Sequence, residues 1–263
     1  MSFFEALILG IIQGIAEFIP ISSSGHLLLV QRLFGIEENL LTFTIVVHIG
    51  TLIPVLIIYF NRISSLIKKP FQTLTLLLII GTLPLVFLAL FAGDFIDTLF
   101  TGDFLGYGFL ITAVVLLITD KISSGEKGIK DLSKKDALIV GAFQAAAIIP
   151  GISRSGSTIL GGIMSGANKK TAANFSFLLS IPAIAGGMTL EIISLIRGEG
   201  ESISSIFSLY MITGFLASMI AGFFAIKVML ALIVKNKMKY FAYYLILLSI
   251  WIFADKLFLG MVF

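Results

Sequence analysis

Two short stretches hold most of the side chains in this sequence that could do chemistry. The first, QGIAEFIPISSSGH from Gln13 to His26, carries an amide, a carboxylate, three consecutive hydroxyls and an imidazole. Glu17 follows Gln13 by four residues, one helical turn, so the two share a face. A carboxylate beside an amide oxygen can hold a hard divalent cation or accept a proton. His26 follows Ser22, Ser23 and Ser24 closely enough to exchange a proton with a serine hydroxyl or with a leaving group. The second stretch, PGISRSGST from Pro150 to Thr158, sets Arg154 between Ser153 and Ser155, just before Gly156. A guanidinium offers a fork of donors matched to phosphate oxygens. Both Ser-X-Ser-Gly runs, Ser22 to Gly25 and Ser153 to Gly156, lie beyond a proline and ahead of an apolar run, as helix N-termini do. Such ends present unpaired N–H groups and a positive dipole to an anion. Ser and Gly alone could simply permit close helix packing. Two tips with an arginine between them favour an anion site.

The two stretches are copies of one unit. Shifting the chain by 131 residues lays Ala6–Gly25 on Ala137–Gly156 with roughly half the positions identical, among them Gly10/Gly141, Gln13/Gln144, Ser22/Ser153, Ser24/Ser155 and Gly25/Gly156. Internal duplication in an apolar chain marks a paired-repeat membrane fold with its site at the repeat interface. The chemistry sits where the copies differ: Glu17 aligns with Ile148, Ser23 with Arg154, and His26 with Ser157. One composite site is expected, with the carboxylate and imidazole from one half and the guanidinium from the other.

Composition names the solvent. With 58% hydrophobic and 13% charged residues and a mean hydropathy of +1.08, the chain is an integral membrane protein rather than a soluble domain. The absence of cysteine excludes disulfides, thiolate catalysis and thiolate metal sites. A pI near 9.0 does not imply nucleic-acid binding, because the lysines sit in short loops between apolar runs. The start carries Glu5 and belongs to the repeat, so no cleavable signal peptide is expected.

Six apolar stretches approach the roughly 20 residues needed to cross about 30 Å of hydrocarbon. They fall near 41–60, 71–93, 104–119, 171–196, 206–233 and 240–260. The two motif regions, about 3–34 and 137–167, are shorter apolar runs broken by Pro, Ser and Gly, and read as re-entrant helical hairpins. The expected fold is therefore all-α, with six transmembrane helices and two hairpins in an inverted-topology repeat. Repeat one covers 1–119, a polar linker 120–136, and repeat two 137–263, all in one structural domain.

This arrangement puts Arg62, Lys68, Lys69, Lys130, Lys169, Lys170, Lys235, Lys237 and Lys239 on one side. Arg32, Arg197 and Lys256, along with the acidic Glu37, Glu38, Asp94, Asp97, Asp103, Glu199 and Glu201, fall on the other. The positive-inside rule makes the lysine-rich side cytoplasmic and leaves both termini outside. The charge run of the linker, DKISSGEKGIKDLSKKD, reads as a solvated loop. His48, inside the first span, reads as a packing or hydrogen-bonding residue, and Glu191 and Lys227, near span ends, as snorkelling side chains.

At Gln13–His26, Pro150–Thr158 and the later FSFLLSIPA (Phe175 to Ala183) the chain resembles the undecaprenyl-diphosphate phosphatase family, essentially from end to end. The resemblance implies an integral membrane enzyme that hydrolyses a polyprenyl diphosphate to the monophosphate and phosphate, recycling the lipid carrier of cell-wall glycan assembly. It also implies dependence on a divalent cation such as Mg or Ca, an active site opening on the outer face, and homodimers. Carried over by position, the acidic motif falls on Gln13 and Glu17, the serine nucleophile on Ser23, the histidine on His26 and the phosphate-binding arginine on Arg154. Many members have Glu where this chain has Gln13, which removes one anionic metal ligand. Many have Thr at Ser24. On this reading Ser23 attacks the terminal phosphorus, His26 or Glu17 takes the proton, and water then cleaves the phosphoserine; direct attack by activated water is the other route.

Two rivals differ in class. A carrier of lipid phosphate or another anion would share inverted repeats and broken helices, but has no need of a His-Ser-Glu cluster confined to one hairpin. An acid-phosphatase-like lipid phosphatase needs a further histidine after its serine-arginine motif, and only His26 and His48 exist.

Overall fold

Apolar runs in lipid must satisfy their backbone groups internally, and helices do so within one segment. The computed structural model describes residues 1–36, 41–91, 102–197, 208–260 and 262. Among these residues it is all-helical. The helices are α1 (Phe3–Phe18), α2 (Ser23–Leu33), α3 (Leu41–Ile58), α4 (Phe60–Lys68), α5 (Thr73–Phe91), α6 (Leu105–Lys121), α7 (Lys134–Ala146), α8 (Arg154–Met164), α9 (Lys169–Ile196), α10 (Leu209–Val234) and α11 (Met238–Ala254). A π-helical turn, Asp255–Leu259, extends α11.

Four helical segments are long and apolar enough to cross a membrane: Thr73–Phe91, Lys169–Leu190, Leu209–Val234 and Met238–Phe258. A fifth candidate is broken. The span expected at 41–60 ends at Ile58 and turns by 85° into α4, so α4 does not continue it. The stretch expected at 104–119 forms α6, whose 17 residues rise about 25 Å at 1.5 Å each, somewhat short of a full crossing. The acidic residues Glu37, Glu38, Asp94, Asp97, Glu199 and Glu201, and the side chain of Glu191, lie outside the described residues. Lys227 is exposed, with its ammonium 4.1 Å from the centre of the Phe223 ring.

Both motif regions fold as helix–break–helix units, α1–α2 and α7–α8. Each first arm packs on the second long helix of the other half, α1 on α10 and α7 on α5. The reason is the same in both. A Cβ on Gly10 would lie 2.6 Å from the Gly214 carbonyl oxygen, and one on the aligned Gly141 would lie 2.5 Å from that of Gly81. Only hydrogen at these positions lets the backbones approach so closely.

The linker is mostly exposed but is not simply a solvated loop. The Lys127 ammonium donates to Asp136 Oδ1 and Oδ2 at 3.1 and 2.9 Å and to the Ser165 carbonyl oxygen at 2.8 Å, tying the linker to both arms of the second unit. Asp136 also closes a capping box with Ser133 at the start of α7. Burial alone would raise the Asp136 carboxyl. The Ser133 N–H, the Lys127 ammonium and the Ser133 hydroxyl outweigh it and hold the group below the ordinary carboxylate value. A depressed folded-state value stabilises the fold above the unfolded-state value and loses that contribution as pH falls through the folded one.

Two outcomes follow. Gly141→Leu forces backbones apart and should cost at least about 2–3 kcal/mol, seen as an earlier loss of the monodisperse peak on heating in detergent. Asp136→Asn should cost about 1–2 kcal/mol at neutral pH, and its gap from wild type should close in melts run below pH 4. A gap independent of pH would assign Asp136 a packing role only.

Candidate active site

The site is assembled where the two breaks meet. Glu17 lies in the last turn of α1 with Gln13 one turn before it, and Ser23 and Arg154 are the first residues of α2 and α8. The aligned positions 23 and 154 therefore come from equivalent places in the two units and converge on one carboxylate. Ser23 Oγ donates to Glu17 Oε2 at 2.7 Å, and Gln13 Nε2 donates to the same oxygen at 3.1 Å. Arg154 Nη2 pairs with Glu17 Oε1. Glu17 is 7% exposed and Gln13 fully buried, so this is an ion pair in a low-dielectric setting.

Three polar atoms here lack a partner. Arg154 Nη1, Gln13 Oε1 and, from the position aligned with Gln13 in the second unit, Gln144 Oε1 are all buried and unpaired. Such groups carry a cost of roughly 1–3 kcal/mol that a ligand can remove. The first is a donor suited to a phosphate oxygen, the second an acceptor suited to a cation. Among the described residues no cluster of three or more His, Asp or Glu could hold a metal by itself. One carboxylate, one amide oxygen and the phosphates of a substrate form a donor set of the kind Mg2+ accepts.

The remaining motif residues shape the break. Ser22 Oγ caps α2 by accepting from the Gly25 N–H at 3.4 Å, and Ser153 Oγ caps α8 by accepting from the Gly156 N–H at 3.1 Å. Ser24 Oγ lies 3.4 Å from Ser22 Oγ, and Ser155 Oγ 3.2 Å from Ser153 Oγ. Gly25 faces Gly151 and Phe109 so closely that a Cβ would lie 2.8 Å from the Phe109 ring, and a Cβ on Gly156 would lie 3.2 Å from Pro20. The tips thus cross each other, and the glycines are what let them. Ser22, Gly25, Ser153, Ser155 and Gly156 are buried within this crossing.

His26 is placed differently from the expected serine–histidine proton exchange. No hydrogen bond joins it to Ser23. Its Nδ1 lies 2.9 Å from the Ser22 carbonyl oxygen and its Nε2 2.8 Å from the Tyr244 hydroxyl. A carbonyl only accepts, so Nδ1 carries hydrogen, and in the neutral ring Nε2 accepts from Tyr244. Ser22 has φ of 73° and ψ of 101°, a strained conformation for a residue with a Cβ. His26 clamps that residue next to Ser23. The ring is itself held between Phe109 and Tyr244, with centroids at 5.0 and 5.7 Å.

Glu17, Ser23 and Arg154 open into a cavity of about 500 Å3. Gln144 and His48 also line it, while Leu85, Val86, Leu90, Ile184 and Met188 supply apolar wall. His48 does form the expected hydrogen bond, from Nδ1 to the Thr44 carbonyl oxygen at 2.7 Å, but it also lines this cavity. Its lone placement in an apolar run was the available signal. Thr112, without any such signal, pins the second tip by donating to the Gly151 carbonyl oxygen at 2.7 Å and accepting from the Ser153 N–H at 2.9 Å.

Comparison with known proteins gives this geometry a context. The family model described as bacitracin resistance protein BacA matches residues 6–251. A protein of Carboxydothermus hydrogenoformans named undecaprenyl-diphosphatase is 45% identical over 253 residues, covering 96% of this chain and 97% of that protein. One of Bacillus cereus named undecaprenyl-diphosphatase 4 is 45% identical over 245 residues, with 93% of each chain covered. One of Alkaliphilus metalliredigens named undecaprenyl-diphosphatase is 40% identical over 266 residues, covering 93% and 95%. With its Ser23–Glu17–Arg154 cluster at the crossing of two helix breaks, the chain belongs to the BacA family of bacitracin resistance proteins.

Proposed function

We propose that this chain hydrolyses undecaprenyl diphosphate to the monophosphate and inorganic phosphate, renewing the lipid carrier of cell-wall glycan synthesis. The observation that carries the reading is the cavity. Its lining combines a serine hydroxyl bonded to a carboxylate, beside a buried unpaired guanidinium donor, with apolar wall. A diphosphate on an isoprenoid chain has the same two-part character.

The residues act as follows. Arg154 Nη1 takes an oxygen of the terminal phosphate and orients the group. Ser23 Oγ, its proton passing to Glu17 across the 2.7 Å hydrogen bond, forms a bond to the terminal phosphorus as the bond to the polyprenyl phosphate oxygen breaks. Water then attacks the phosphoserine, Glu17 again handling the proton, and inorganic phosphate leaves. His26 is a positioning residue that holds Ser22, and hence Ser23, in place. Ser22, Ser24, Gly25, Ser153, Ser155 and Gly156 keep the two tips in register around the phosphate. Glu17 and Gln13 Oε1 would hold a divalent cation, Mg or Ca, which when bound supplies charge neutralisation to the diphosphate.

The reading extends to topology. Six crossings, counting α3 and α6, with two re-entrant units, make the halves 1–119 and 137–263 inverted repeats joined by the linker 120–136. The crossed packing of α1 on α10 and α7 on α5 supports this. The lysine-rich loops are then cytoplasmic, the termini and the cavity mouth are outside, and two chains associate as a dimer. A carrier of lipid phosphate is not favoured, since transport needs no serine bonded to a carboxylate.

Ser23→Ala should lower phosphate release by at least about 10³-fold, a loss of roughly 4 kcal/mol of transition-state stabilisation, while substrate binding survives. Rapid-quench mass spectrometry should find phosphoserine at Ser23; steady turnover by Ser23→Ala would instead make water the nucleophile. His26→Asn, which can still donate to the Ser22 carbonyl, should keep at least about tenfold more activity than His26→Ala. Equal losses would return His26 to proton transfer. In intact cells, a single cysteine at Asp103 should react with an impermeant thiol reagent and one at Lys237 should not. The reverse pattern would invert the assigned orientation.

A further inference from the structure

The 85° turn between α3 and α4 leaves α4 roughly at right angles to a membrane-crossing helix. Helix α4 therefore runs along the membrane plane. None of its nine residues is fully buried. Its sequence, FNRISSLIK, sorts cleanly by side: Phe60, Ile63, Leu66 and Ile67 share one face, while Asn61, Arg62, Ser65 and Lys68 share the opposite one. Ile63 and Leu66 pack on the core, whereas Phe60 and Ile67 are 67% and 75% exposed, and Phe71 just beyond is wholly so. Exposed rings and branched carbons at this level need acyl chains around them.

Behind the polar face lies a second cavity, of about 830 Å3, which shares no lining residue with the one at Glu17. Arg62 and Ser65 of α4, Lys130 of the linker, Gln72 and Asn174 all line it. No carboxylate lines it, and neither Arg62 nor Lys130 has an ion-pair partner among the described residues. Two unpaired cations facing one polar hollow make a site for an anion. The exposed apolar rim left by Phe60 and Phe71, chain neighbours of the lining residues Tyr59, Asn61 and Gln72, decides which kind. A free anion has no use for that rim; a phospholipid does, with its phosphate between Arg62 and Lys130 and its chains over the rings.

We propose that α4 and the linker form a binding site for one anionic phospholipid, such as phosphatidylglycerol, in the leaflet on the lysine-rich side. Arg62 and Lys130 take the phosphate, Ser65 and Gln72 take headgroup hydroxyls, and the bound lipid bridges α4 to the linker that joins the two halves of the molecule.

The test uses the full chain in nanodiscs of phosphatidylcholine containing a minor fraction of phosphatidylglycerol, with retained lipid counted by native mass spectrometry. Wild type should retain phosphatidylglycerol over phosphatidylcholine. Arg62→Gln/Lys130→Gln should retain at least about threefold less, and Lys235→Gln/Lys237→Gln, which loses the same charge elsewhere, should match wild type. Equal loss in both pairs, or in neither, overturns the site, and displacement of the lipid by millimolar inorganic phosphate would make it a free-anion site. A second measurement leaves the basic residues intact. With Trp251→Phe/Phe60→Trp, dibrominated phosphatidylglycerol should quench the new tryptophan at least twice as strongly as dibrominated phosphatidylcholine at equal fraction; equal quenching overturns the proposal.

Discussion

The ion pair between Glu17 and Arg154 is the contact on which the rest of the structure turns. It joins residues 137 positions apart, one from each helix break, and it is almost closed to solvent. An isolated charge at such depth costs several kcal/mol, so neither side chain is tolerable without the other or a ligand. The pair thereby fixes how the two units must meet. It also leaves capacity unused, since Arg154 Nη1 and Gln13 Oε1 find no partner in the protein. A site that holds its charges together and still leaves a buried donor and a buried acceptor unpaired has capacity for further polar contacts.

Bringing two breaks into contact within an apolar body raises a second constraint, because broken helices expose backbone groups that lipid cannot satisfy. The chain solves this locally. Ser22 and Ser153 cap the outgoing helices, Thr112 takes the Gly151 carbonyl and the Ser153 N–H, and His26 takes the Ser22 carbonyl. Glycine at 25 and 156 removes the bulk that would hold the tips apart. The strained backbone at Ser22 persists because these contacts over-determine it. Many polar residues that look like ligands in the sequence are thus occupied in building the platform, which leaves Ser23, Glu17 and Arg154 facing the cavity.

The periphery follows the same physics with the opposite outcome. In the centre, charges are paired and dry. At α4 and the linker, Arg62 and Lys130 remain unpaired beside exposed apolar residues, a combination suited to the boundary between headgroups and acyl chains. Lys127, a few residues away, is instead drawn inward as a strut to Asp136 and Ser165.

The sequence by itself determined the helical membrane class, the duplicated unit, the positions of both breaks and the group of polar residues, Gln13, Glu17, Ser23 and Arg154, that the two breaks bring together. These are local properties: apolar run length, Pro-Ser-Gly interruptions and charge at membrane depth each leave a mark within a few residues. It also showed which copy supplied which group, because the departures from repeat symmetry are visible by alignment. What only the tertiary structure decided was partnership. His26 is close to Ser23 in sequence yet is turned toward Ser22 and Tyr244, a residue of α11. His48, thirty-one residues beyond Glu17 and outside any motif, comes to the same cavity. Thr112 carries no signal at all, and the bend after Ile58 interrupts a run that reads as one span. Which atoms meet depends on helix rotation and on crossings set by Gly10 against Gly214 and Gly141 against Gly81. Those contacts join positions far apart in the chain, and no local pattern encodes them.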